Sequence, residues 1–173
     1  MDAAEITRAT RRIAHEIIEA NHGTESLLVL GIPTRGPALA HRIAAEIGAA
    51  EGGEVPVGEI DITMYRDDLR RKPPRPLGRT VIPGEVDGRV VVLVDDVLFS
   101  GRTVAAALDA LKDLGRPTRV LLAVLVDRGH RELPIAADFV GRHLATDASD
   151  RVKVSVVEVD GTDAVAIEKD SHA

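Results

Sequence analysis

The residues Val90-Val91-Val92-Leu93-Val94 run directly into Asp95-Asp96, and then into Val97-Leu98-Phe99-Ser100-Gly101-Arg102-Thr103. Five aliphatic residues in a row, with no polar alternation, mark a strand covered on both faces. Such strands lie in parallel sheets, and parallel neighbours need a crossover, usually a helix. A second buried run spans 119–126, with helical spacing over 103–114 between the two. Upstream, Ile6, Ile13, Ile17 and Ile18 set a helix over 3–22 that stops at Asn21-His22-Gly23. Residues 26–30 read as a short strand, 37–50 as an Ala-rich helix and 57–65 as a strand. Further strands are expected near 138–141, 152–159 and 164–168. This alternation predicts an α/β fold, a mostly parallel twisted sheet flanked by helices. Right-handed crossovers place the loops after the strands along one carboxyl edge, where ligands bind.

A length of 173 residues fits one domain, 1–173. With aromatics at 2% and no Trp, the core must be Ala, Val, Ile and Leu. The same scarcity argues against stacking platforms for single-stranded nucleic acid. No Cys means no thiol nucleophile and no thiolate metal site. The charged start (Asp2, Glu5, Arg8, Arg11, Arg12) does not read as a secretory leader, and the apolar runs are strand-sized. The expectation is a cytoplasmic protein with no membrane partner.

After Asp95 and Asp96 the chain offers hydroxyls at Ser100 and Thr103, and Gly101 lets the backbone approach an anion. A helix then opens with free N–H groups and the positive end of its dipole. This is a phosphate cradle, but neither the GxxxxGK[ST] nor the GxGxxG spacing is present. Two acids beside an anion site make sense if they meet hydroxyls or a magnesium ion, and a sugar phosphate brings both. For Asp95 alone, a capping role serves equally well.

The thirteen-residue string resembles the signature of type I phosphoribosyltransferases, which bind phosphoribosyl pyrophosphate (PRPP). The resemblance implies that family's fold, with a small hood and a flexible basic loop. It implies that Val97, Leu98, Phe99, Ser100, Gly101, Arg102 and Thr103 hold the 5-phosphate. Asp95 and Asp96 would face the ribose hydroxyls and meet Mg2+ only indirectly, through Mg-PRPP. Thr34, Arg35 and Gly36, after the first strand, would take the pyrophosphate; Arg35 alone reads equally as a surface arginine before a helix.

Three further blocks are Arg12-Ile13-Ala14-His15-Glu16, residues 58–69, and Val126-Asp127-Arg128-Gly129-His130-Arg131-Glu132-Leu133-Pro134. They resemble the family of bifunctional pyrimidine-operon regulators that are also uracil phosphoribosyltransferases. The implied reaction converts uracil and PRPP to UMP and pyrophosphate with Mg2+. Residues 66–80 would be the flexible loop; Arg66, Arg70, Lys72 and Arg79 belong to a stretch (66–79) with six basic residues against two acids, in a chain of net charge −6. Arg128, His130 and Val152 are the candidates for uracil and nucleotide contacts, although His130 reads equally as a loop histidine.

The same resemblance implies binding to the pyrimidine-operon mRNA leader and a homodimer or higher homo-oligomer. Arg8, Arg11, Arg12 and His15 share one helical face, and Arg42 and Arg142 are further RNA candidates. From periodicity alone that face is a solvated charged surface. After Gly141 the sequence departs from the family pattern: the run 142–150 lacks the expected Pro and carries Asp147 and Asp150, acids that would weaken phosphate contact.

Overall fold

A computed structural model describes residues 1–67 and 78–169. The elements are α1 (Ala3–Asn21), β1 (Leu27–Gly31), α2 (Gly36–Glu51), β2 (Val57–Glu59), β3 (Val90–Leu98), α3 (Arg102–Leu114), β4 (Arg119–Asp127), β5 (Phe139–His143), β6 (Arg151–Ser155), α4 (Val157–Asp160) and β7 (Ala164–Glu168). A 3-10 turn occupies Thr63–Tyr65. Five parallel strands form one sheet in the order β2-β1-β3-β4-β5, and β6 and β7 pair antiparallel in a separate two-stranded sheet.

Side-chain alternation along the strands splits the core in two. Leu27, Val29, Val92, Val94, Leu121 and Ala123 face α1 and α2, together with Ile6, Ile13, Ile17, Leu39, Ile43 and Ile47. Leu28, Leu30, Val91, Leu93, Leu122 and Val124 face the other way, against Val104, Ala107 and Leu111 of α3. The core is aliphatic, as an aromatic-poor chain requires, with Phe139 the aromatic residue it includes. The Asp2 carboxylate accepts the Glu5 N–H at 2.8 Å and the Glu5 carboxylate accepts the Asp2 N–H at 2.9 Å, a reciprocal cap that starts α1. His22, in the left-handed region at φ 56°, ends it.

Three boundaries differ from the sequence reading, each for a local reason. β3 does not stop at Val94; Asp95, Val97 and Leu98 stay in register with Val124, Val126 and Asp127 of β4. β2 is three residues long rather than spanning 57–65. Ile60 and Ile62 are still buried, but from a turn in which the Asp61 carboxylate accepts the N–H and hydroxyl of Thr63. The strand expected over 152–159 ends at Ser155, because Asp160 and Asp163 carboxylates accept the N–H groups of Val156 and Val157 and coil the chain into α4.

Candidate active site

The carboxyl ends of β1 and β3 and the start of α3 converge on one edge of the sheet. After β1 the chain bends back sharply: a Cβ on Gly36 would lie 2.5 Å from the Val94 carbonyl oxygen. Only glycine permits that approach, and it brings Thr34 and Arg35 beside the end of β3. The Pro33–Thr34 peptide is cis. Thr34 is exposed, and Arg35, at the start of α2, is half-buried.

Because β3 continues through the two acids, they project from opposite sides of a strand. Asp95 is buried, 5% exposed, and Asp96 is half-buried. The Asp95 carboxylate accepts the Asp96 N–H at 2.9 Å, and the Asp96 carboxylate accepts the Val97 N–H at 2.8 Å. Burial pushes the Asp95 carboxyl well above the usual carboxylate range, and the neighbouring Asp96 charge pushes the same way. Arg66 is near enough to oppose this.

The loop after β3 surrounds a pocket of about 280 Å³, lined by residues 97–104 with Arg66 and Asp67. Gly101 adopts φ 91°, a left-handed conformation that side chains resist, and α3 begins immediately after it. The loop's carbonyls are occupied on the side facing 128–133. Leu98 O accepts the Arg128 N–H at 3.1 Å, and Ser100 O accepts the N–H groups of Glu132 and Leu133, both at 3.0 Å. Phe99 O accepts from the Arg131 guanidinium at 2.9 Å. These carbonyls are engaged by 128–133, and α3 opens directly after the loop with the positive end of its dipole, an arrangement suited to an anion. Arg131 also donates to Ile135 O at 2.8 Å and to the Asp127 carboxylate at 2.6 Å, tying this loop to the end of β4. Arg102, at the first position of α3, pairs with Glu132 at 2.6 Å and with Asp67.

The other sequence candidates scatter. Arg128 is 6% exposed and turned inward. Its guanidinium donates to Asp150 O at 2.6 Å and Asp147 O at 2.8 Å and lies over the Phe99 ring. Its two terminal nitrogens hold backbone carbonyls of the 147–150 segment. His130 is exposed at φ 58°, with Nε2 2.7 Å from Thr146 O. Val152 is half-buried and packs against the same core cluster as residues of α1 and α2. Arg66 lines the pocket, Arg79 is exposed, and Arg70 and Lys72 lie outside the described residues, as does most of the 66–80 loop.

The RNA candidates are mostly ion-paired within the chain. Arg11 pairs with Glu46 at 3.1 Å, Arg12 with Glu16 at 2.9 Å and Arg142 with Glu5 at 2.8 Å. Arg12 also donates to Gly141 O at 2.6 Å, and His15 is exposed. Arg42 is gripped by Glu158 at 2.6 Å and Asp163 at 2.7 Å with its side chain 19% exposed. It fastens α4 to α2. Arg131 and Asp160 are the site neighbours that sequence reasoning missed. Arg131 stands in the 126–134 block but nothing local reveals its partners, and Asp160 gave no signal at all.

Among the described residues, no group of three or more His or acidic side chains could hold a metal ion, and no helix is long and apolar enough to cross a membrane. An exposed edge with one half-buried carboxylate suits a Mg2+ held mainly by substrate oxygens and water.

The geometry has close counterparts. The phosphoribosyl transferase domain family matches residues 2–160. The "Bifunctional protein PyrR" of Leifsonia xyli is 60% identical over 98% of this chain and 95% of its own length. That of Thermus thermophilus is 62% identical over 96% of this chain and 93% of its own. Among solved structures, a hypoxanthine phosphoribosyltransferase of Trypanosoma cruzi superposes with a TM-score of 0.66 at 17% identity, covering 83% of this chain and 79% of that one. A purine phosphoribosyltransferase of Pyrococcus horikoshii gives 0.64 at 22%, covering 83% and 85%; both likenesses concern the fold. The loop after β3, the paired acids of that strand and the full-length relatives agree: the chain belongs to the phosphoribosyl transferase domain family, alongside the PyrR proteins.

Proposed function

We propose that this protein is a uracil phosphoribosyltransferase that also regulates pyrimidine-biosynthesis genes. It converts uracil and PRPP to UMP and pyrophosphate, and it binds a pyrimidine-operon mRNA leader in a uridine-nucleotide-dependent way. The observation that carries the transferase reading is the loop at residues 98–101. The carbonyls of Leu98, Phe99 and Ser100 are held by 128–133, and the positive end of α3 opens directly after Gly101, a turn suited to the 5-phosphate. Asp95 and Asp96 stand next along the strand, where the ribose hydroxyls of a phosphate-anchored substrate would fall. Arg35 lies on the far side, for the pyrophosphate.

Breaking the ribose–pyrophosphate bond builds positive charge on the sugar and negative charge on the leaving group. Asp96 suits the first and Arg35 the second. A buried Asp95 with a raised pKa accepts a hydroxyl hydrogen bond without a large shell of water to remove. Mg2+ on the PRPP oxygens would neutralise part of the pyrophosphate charge. Uracil as the base, the RNA and its control, and a cytoplasmic homodimer or larger homo-oligomer rest on full-length similarity to the PyrR proteins.

A panel of nucleobases with PRPP and Mg2+, read by pyrophosphate release, tests the enzyme. Turnover with uracil is expected, and turnover with hypoxanthine alone overturns it. A gel shift with the operon leader tests regulation, with UMP-dependent binding expected. A second reading, base salvage without an RNA role, is favoured by the intrachain pairing of Arg11, Arg12, Arg42 and Arg142. It is established if the leader fails to bind.

A further inference from the structure

Arg35, the pyrophosphate-side arginine, is already held by an acid from the other end of the chain. Its Nε donates to Asp160 Oδ2 at 2.9 Å and its Nη2 to Asp160 Oδ1 at 2.8 Å, a two-point fork. The pair is only partly open to water, with side chains 28% and 22% exposed. Asp160 is itself fixed, because Oδ2 also accepts the Val156 N–H at 2.9 Å. It sits at the end of α4, between the strands of the small sheet. The neighbouring acids Glu158 and Asp163 are taken by Arg42, so the Asp160 charge is left chiefly to Arg35. On the active-site side, the charge of Asp96 also reaches Arg35.

The fork uses Nε–H and one Nη2–H. The two Nη1–H groups and the second Nη2–H remain for a ligand. A polyanion arriving at this edge therefore meets an aligned arginine whose charge is partly cancelled. We propose that Asp160 is a positioning residue that orients Arg35 and limits how tightly the site holds pyrophosphate. The proposal rests on the assignment of Arg35 to the pyrophosphate side. Its consequence is that the small β6-β7 sheet, which contributes no group to the phosphate loop, tunes release of the leaving group.

The test is product inhibition by pyrophosphate in Asp160→Asn. Asn retains an oxygen for the Val156 N–H and removes the charge. The inhibition constant should fall about three- to tenfold, the range for one partly screened charge, while KM for uracil stays constant. A general loosening of the fold would instead raise both. Asp160→Glu, which keeps the charge, should stay near wild type and guards against misfolding of the Asn variant. In an Arg35→Ala background, Asp160→Asn should have no effect on the constant. An unchanged or raised constant in Asp160→Asn, or an equal fall without Arg35, overturns the proposal. Absence of pyrophosphate release by wild type with every base overturns the transferase reading instead, so the two failures are distinct.

Discussion

The guanidinium carbon of Arg128 lies 4.3 Å from the centre of the Phe99 ring, so the loop after β3 lids an otherwise buried charge. On the other side, the same guanidinium ties down the 147–150 segment through backbone carbonyls. Its Nε, buried and without a hydrogen-bond partner, leaves the ring to supply much of the compensation.

Arg128→Lys keeps the charge but cannot span both carbonyls. It should destabilise the protein by about 2–3 kcal/mol, the scale for breaking a buried polar network. Phe99→Ala should cost less, about 1 kcal/mol, since the ring is half open to solvent. Urea unfolding of both variants checks the order.

Asp95→Asn separates stability from function. A carboxyl whose pKa is raised by folding binds more protons in the native state, so its contribution to stability falls as pH rises through the folded value. Asn relieves that buried charge and keeps an oxygen for the Asp96 N–H. The variant should therefore melt higher than wild type at pH 8, with the difference narrowing on acidification. Turnover should drop about ten- to a hundredfold, as for loss of a charged hydrogen bond to substrate. Thermal melts across pH, beside initial rates, measure both.

Arg131→Ala frees the Phe99 carbonyl and cuts the tie between the phosphate loop and Asp127. KM for PRPP should rise about tenfold, equivalent to about 1.4 kcal/mol of lost preorganisation. KM for the base should move little. Steady-state kinetics with each substrate varied in turn would show the split.

Acid should loosen the small sheet. Arg42 holds the Glu158 and Asp163 carboxyls below their ordinary values. Groups so depressed stabilise the fold fully above their unfolded values, about 4, and lose that stabilisation as pH falls through the folded ones. The melting temperature of wild type should fall below about pH 5. Arg42→Met should start lower and fall less steeply, as followed by circular dichroism.

The α/β order, the helices α1, α2 and α3, and the paired acids were legible because each is written in adjacent residues. The Val90 run announced β3, and the Ile spacing announced α1. The true end of β3 was not, since Asp95 stays in the strand only through its ladder with Val124, a residue far along the chain. Nor could the sequence distinguish Ile60 and Ile62 buried by a turn from the same residues buried by a strand. At the site, Gly101 carries its geometry locally. The charged side chains do not: Arg35 finds Asp160 across 125 positions and Arg142 finds Glu5 across 137. A helical face rich in arginine looks open in sequence because its counterions come from elsewhere in the fold.

Every neighbouring pair in the main sheet is parallel, and β1 lies between β2 and β3. No two strands of it can zip together as a hairpin. The edge that carries the candidate site thus closes late. The Leu98 and Ser100 carbonyls wait for residues 128–133, and Arg35 waits for Asp160. Such long-range closure slows folding and keeps an aliphatic surface uncovered meanwhile. A nascent chain halted before β6 would carry the paired acids and the 97–103 loop while Arg35 still lacked its partner Asp160.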